Sequence, residues 1–175
     1  ADLFFAFQRP LDGYQLLEES LGFAKKDQEY FRQYVYRCFM LDQDARLIAT
    51  AAKYVGDPEL APEIRADLLL AAAQAHFLRG NFAEAAKLIK DHRLDQVADG
   101  YLLNCQILWE SGDRDGALAE LDAALAAYPG TARLLEIKTR WLKDNGNLTG
   151  AKDCLDLLAI SQPDKPGPLI QSLYL

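Results

Sequence analysis

From residue 69 to residue 89 the apolar positions follow one rhythm, pause, and resume it. Leu69, Ala72, Ala73, His76 and Phe77 recur at the three- and four-residue spacing of a helix. After Gly80-Asn81 the same spacing returns in Phe82, Ala85, Ala86 and Ile89. Two helices joined by a tight turn are predicted. Thirty-two residues later the turn is written again as Gly112-Asp113, and thirty-four after that as Gly146-Asn147. Ala85, Ala117 and Ala151 fall five residues after their glycines, and Ile89, Leu121 and Leu155 nine after. Upstream, Ala73, Cys105 and Thr139 stand seven before, and Leu69, Tyr101 and Leu135 eleven before. Pro129 and Pro163 close the second and third copies at one offset.

Each element of this pattern has a physical reason. Glycine reaches the left-handed conformation that ends a helix, and Asn or Asp caps the next one. Antiparallel helices approach closely where one slot on each is small. A lone hairpin of this kind cannot bury its apolar face, so its neighbours must stack on it. The small residue, the Gly-Asp/Asn turn, the aromatic Phe82 and the closing proline, over about 34 residues, resemble the tetratricopeptide repeat. The resemblance covers residues 66–163 in units 66–97, 98–131 and 132–163. It implies an all-α, right-handed solenoid of antiparallel helix pairs. Departures from the family pattern are the shortened first unit without its proline, Arg114 and Leu148 in the place of Phe82, and Asn104 and Lys138 where leucine is usual.

Residues 1–58 read as degenerate helical repeats. "DGYQLLEESL" (12–21) resembles the second helix of a truncated unit, with Tyr14 in the part of Phe82, and residues 28–41 and 44–55 form a further hairpin broken at Leu41-Asp42. "GDPELAP" (56–62) is a loop, "QPDKPGP" (162–168) ends the third unit, and residues 164–175 are a tail or the start of another helix. A chain beginning at Ala1 is expected to be processed or cut from a longer solenoid.

Composition narrows the function by exclusion. A net charge of −7 with no basic run disfavours nucleic acid and anionic membranes as partners. No apolar run approaches the length of a membrane span. Cys38, Cys105 and Cys154, odd in number and far apart, suit buried free thiols in a reducing compartment such as the cytoplasm. No phosphate loop, metal-spaced cysteine pair or catalytic triad is legible, so no cofactor, no metal and no enzymatic activity are expected. His76 is expected to be a hydrogen-bonded core residue and His92 a helix-end surface residue. Ser20, Ser111, Ser161 and Ser172 fall in turns or helix ends, and the sequon Asn147-Leu148-Thr149 is expected to be a helix cap.

The tetratricopeptide resemblance implies a concave groove lined by the first helix of each unit. There it places Asp67, Leu70, Gln74 and Phe77, then Asp99, Leu102, Gln106 and Trp109, then Arg133, Glu136, Arg140 and Lys143. Phe77 and Trp109 are either groove anchors or core, and Trp141, one residue out of that register, is expected to pack structurally. The two-carboxylate clamp of some family members is not expected, because its places hold Leu70, Gln74, Asp99 and Leu103. Arg133, Arg140 and Lys143 could meet an acidic segment. The implied function is a non-enzymatic scaffold that binds a peptide or helix of another protein. The alternatives are homo-oligomerisation, through the aromatic helix carrying Tyr30, Phe31, Tyr34, Tyr36 and Phe39 and through open solenoid ends, or an accessory domain of an enzyme in the same polypeptide.

Overall fold

A computed structural model describes residues 10–129 and 131–174. Expectations for residues 1–9, and for Leu175 in the terminal segment, lie outside the described residues. The described residues form ten α-helices, one 3-10 turn and no strand. The helices are α1 (Pro10–Leu21), α2 (Gln28–Met40), α3 (Asp44–Tyr54), α4 (Pro62–Leu78), α5 (Phe82–Asp91), α6 (Ala98–Glu110), α7 (Arg114–Ala127), α8 (Ala132–Asp144), α9 (Leu148–Ser161) and α10 (Pro166–Leu173), with the 3-10 turn Leu94–Gln96 before α6. Two compact units divide the chain, the first running to Gly100 and the second beginning at Tyr101, so the division falls inside α6.

The three repeat glycines have positive φ, at 74°, 97° and 77° for Gly80, Gly112 and Gly146. They separate α4 from α5, α6 from α7, and α8 from α9. A side chain there would be strained by its own backbone, which is why the glycine recurs. Capping follows in two of the three turns: Asp113 accepts from the Gly116 amide at 3.0 Å and Asn147 from the Gly150 amide at 2.9 Å. Asn81 makes no side-chain cap bond. Between α2 and α3 the left-handed position is filled by Asp42, with φ 52°, a short polar residue that tolerates it. Ala85, Ala117 and Ala151 are fully buried, and Ala73, Cys105 and Thr139 are buried with them. Pro129 and Pro163 each stand one residue past a helix C-cap.

In the first unit α1, α2, α3 and α4 surround a core built on Tyr14, Leu21, Phe31, Tyr34, Leu47 and Ile64. Two tyrosines can lie this deep because their hydroxyls are satisfied. Tyr14 donates to the Arg37 carbonyl at 2.8 Å, while the Tyr34 hydroxyl lies 2.8 Å from Thr50 Oγ1 and donates to Glu18 at 3.1 Å. Of the aromatic surplus on α2, Phe31 and Tyr34 are buried and Tyr30 and Phe39 pack against this core. Tyr36 alone stays exposed, beside Met40 and Leu41. Together α1, α3 and α4 therefore cover most of the aromatic side chains of α2.

In the second unit α6, α7 and α8 share a cluster of Cys105, Trp109, Ala117, Leu121, Ile137 and Trp141, and α8 and α9 share another around Leu135, Leu142, Ala151 and Leu155. The segment after Ser161 is a helix, not a tail, and it starts earlier than its prolines suggest. Pro166 occupies the first turn of α10, where a missing amide costs no hydrogen bond. Ser172 donates to Asp156, as Lys138 pairs with Asp122; both pairs are the same positions one 34-residue repeat apart. α10 therefore docks on α9 in the way that α8 docks on α7. Its outward stripe, Leu169, Ile170, Leu173 and Tyr174, is exposed.

Candidate functional site

Gln74 and Leu70 are half-buried on α4, in the first unit. Phe77, also half-buried, turns toward the following helix: its ring lies 5.7 Å from that of Phe82 at an interplanar angle of 49°. In the second unit the equivalent pair is Trp109 and Arg114, with the guanidinium 5.0 Å from the indole centroid. A departure from the family pattern is thereby explained, since an aromatic pair across the hairpin turn is replaced by a cation over an aromatic face. Trp109 is 9% exposed and stacks on Trp141, centroids 4.6 Å apart and planes within 4° of parallel. Trp109 packs as core and Phe77 is occupied locally. Leu102, 5% exposed, belongs to the same cluster as Trp109. These apolar members of the expected groove stripe are used inside the protein.

The polar members behave differently. Gln106 is half-buried on α6, and Arg133, Glu136 and Arg140 are exposed along α8 with Lys143 half-buried beside them. α8, α9 and the start of α10 enclose an open cleft of about 480 Å³. α8 contributes Glu136, Thr139, Arg140, Lys143 and Asp144 to its lining, α9 contributes Leu155 and Leu158, and Lys165, Pro168 and Gln171 come from the segment that forms α10. Lys165 escaped the sequence reading. It sits 22 residues from Lys143 in a proline-rich stretch, and only the docking of α10 on α9 brings it to the same cleft.

Among the described residues no three of His, Cys, Asp or Glu are grouped to hold a metal ion. Ser20, Ser111 and Ser161 donate to backbone carbonyls of their own helices and Ser172 to Asp156. His92 is the exposed C-cap of α5. His76 is half-buried, and its buried Nδ1 has no hydrogen-bond partner among the described residues, contrary to the expectation of a satisfied core histidine. Asn147 of the sequon serves as a helix cap. Among the described residues no helix is long and apolar enough to cross a membrane.

Cys38, Cys105 and Cys154 are free and buried. Burial pushes the Cys38 thiol up to about 11 and the Cys105 thiol up to about 12, and it raises Cys154 as well. At neutral pH the reactive thiolate is scarce at all three. The folded protein is expected to resist an aromatic disulfide reagent at neutral pH and to release three equivalents of chromophore only after denaturation. Rapid reaction of any one thiol in the native state would contradict this packing.

No protein-family model and no curated protein sequence matches the chain. Solved structures do. TTC0263, a thermophilic TPR protein of Thermus thermophilus, aligns over 99% of this chain and 95% of its own, at 18% identity and a TM-score of 0.63. An ArsTM double mutant of MamA RS-1 aligns over 82% of this chain and 79% of its own, at 16% identity and a TM-score of 0.59. A chain of Naa15/Naa10 bound to HypK-THB aligns over 99% of this chain at 16% identity and a TM-score of 0.63, and this chain spans 28% of that one. Sequence identities this low speak for the architecture alone. With the in-register hairpins and their left-handed glycines, they establish that the chain has the tetratricopeptide-repeat fold, an all-α solenoid of helix pairs.

Proposed function

We propose that this chain is a non-enzymatic protein-interaction scaffold whose contact residues lie on the first helices of its hairpins. One observation carries the reading: in the second unit the polar residues of the expected stripe, Gln106, Arg140 and Lys143, keep solvent exposure while Leu102 and Trp109 pack, and in the first unit Leu70, Gln74 and Phe77 are all half-buried. Amide and guanidinium side chains on a rigid helix can hydrogen-bond the backbone of an extended segment. The Naa15/Naa10 chain of the same fold is bound to HypK-THB, which supports the reading. Leu102 and Trp109 drop out of the contact set, because a buried side chain offers a partner little area.

The test uses displayed random peptides selected on the wild-type protein. Combining Gln74→Ala, Gln106→Ala and Arg140→Ala is expected to weaken the selected peptides at least about tenfold, with the melting temperature unchanged. Retained affinity would refute the assignment of these faces. A library that yields no specific binder to the wild type would refute the scaffold reading itself.

A further inference from the structure

The three repeat turns differ in the residue before the glycine, which is Arg79, Ser111 or Asn145. Asn145-Gly146 is the one Asn-Gly pair in the chain, since Asn81, Asn104 and Asn147 precede Phe82, Cys105 and Leu148. The difference is chemical. A main-chain amide nitrogen can attack the side-chain carbonyl carbon of the asparagine before it, and glycine, lacking a side chain, leaves that approach open. Asn145 is the solvent-exposed C-cap of α8. The turn nevertheless holds the two reacting groups apart. The Gly146 N–H donates to the Lys143 carbonyl at 2.9 Å and the Asn147 N–H to the Leu142 carbonyl at 2.8 Å, the paired bonds of a Schellman turn. Ring closure requires Asn145 Cβ and the Gly146 nitrogen to eclipse about the Cα–C bond. The ψ of 4° at Asn145 eclipses that nitrogen with the Asn145 main-chain nitrogen instead.

We propose that Asn145 is a site of spontaneous deamidation that the turn between α8 and α9 keeps closed, so that the modification marks chains in which this hairpin has opened. Once it opens, the Gly146 nitrogen gives its proton to hydroxide and attacks Asn145 Cγ. The new C–N bond closes a five-membered imide, and the side-chain nitrogen takes a proton from water and leaves as ammonia. Water then opens the imide at either of its carbonyls, which yields aspartate or isoaspartate. One water is consumed and one ammonia released, and nothing is oxidised or reduced.

Isoaspartate routes the main chain through the former side chain and lengthens it by one carbon just before Gly146. The two Schellman bonds then lose their register, and with it the geometry that sets the Gly146 φ of 77°. Either product also adds a carboxylate beside Asp144 at the carbonyl end of α8, where the helix dipole disfavours it. The packing that holds the turn shut is that of Leu142 with Ala151 and Leu155. The modification involves no partner, so it stands apart from the scaffold reading.

The experiment ages the purified chain at mildly alkaline pH in heavy-oxygen water, with and without guanidinium chloride, and maps the tryptic peptide 144–152 by mass spectrometry. Heavy oxygen marks deamidation that preceded digestion. Product at Asn145 is expected to accumulate at least about tenfold faster in denaturant, while Asn147 in the same peptide stays intact. Leu142→Ala, which loosens the hairpin and leaves the Asn-Gly pair untouched, is expected to raise the rate in buffer toward the denatured rate. The isoaspartate form, separated and returned to buffer, is expected to melt several degrees below the Asn145→Asp variant, which has the charge without the longer chain. Equal rates with and without denaturant would overturn the gate, and an Asn145 that survives in denaturant would overturn the site. An isoaspartate form that melts together with Asn145→Asp would show that the longer chain leaves the turn undisturbed, against the proposal.

Discussion

Trp109→Ala is expected to destabilise the second unit by about 3–5 kcal/mol, the usual loss when a buried indole is truncated. The residue is 9% exposed, stacked on Trp141 and covered by Arg114, so its removal opens a cavity and unpairs two neighbours at once. The chain has two tryptophans, and these are the stacked pair, so optical signals report this contact directly. Each indole, 4.6 Å from the other, is a large part of its partner's surroundings, so the tryptophan near-ultraviolet circular-dichroism signal is expected to change in Trp109→Ala and in Trp141→Ala alike. Urea unfolding of the two variants measures the stability loss. The groove-anchor reading of Trp109 predicts the opposite pattern: weakened partner binding with an unchanged urea midpoint. A variant that unfolds at the wild-type midpoint would show that the stacked arrangement is wrong.

Gly100→Ala is the second large effect, at about 2–3 kcal/mol of destabilisation. Gly100 lies in the first turn of α6 and is buried, with the 3-10 turn Leu94–Gln96 folded against it. A Cβ there would stand 2.0 Å from the Leu94 carbonyl oxygen and 2.6 Å from its carbon. Backbone cannot swing aside as a side-chain tip can. Leu94 is itself 4% exposed and follows Arg93 in a left-handed conformation, so this turn has little room to retreat. Helix propensity argues for alanine by about 1 kcal/mol, and the clash outweighs it. Gly56→Ala is the control, because a Cβ there meets nothing within 4 Å; its urea midpoint is expected to stay at the wild-type value while that of Gly100→Ala falls. A neutral Gly100→Ala would mean that the 3-10 turn does not pack on α6 as described.

The hairpins were legible because their determinants are local. The glycine that needs positive φ, the residue that caps the next helix and the small slot five positions on are all set within a few residues of one another. Three copies in register make such a signal hard to mistake. The buried state of Ala85, Ala117 and Ala151 and the left-handed Gly80, Gly112 and Gly146 follow from that reading. Gly100 gave no such signal. It belongs to no repeat position, and its constraint comes from a turn six residues earlier folding back over it.

The candidate site divides in the same way. Gln106, Arg140 and Lys143 were legible as a polar stripe, since helical spacing places residues on a face. Spacing alone could not say whether Trp109 and Leu102 on that stripe meet solvent or another helix, because that depends on what packs opposite. The hairpin period, the turn chemistry, the acidic balance and the want of a recognisable catalytic motif were all written in the order of residues. The docked helices were needed to show that Trp109 stacks on Trp141, that Arg114 stands in for an aromatic, and that Lys165 lines one cleft with Arg140 and Lys143. Local periodicity is written within a few residues, whereas these contacts join side chains of different helices and exist only once those helices have packed.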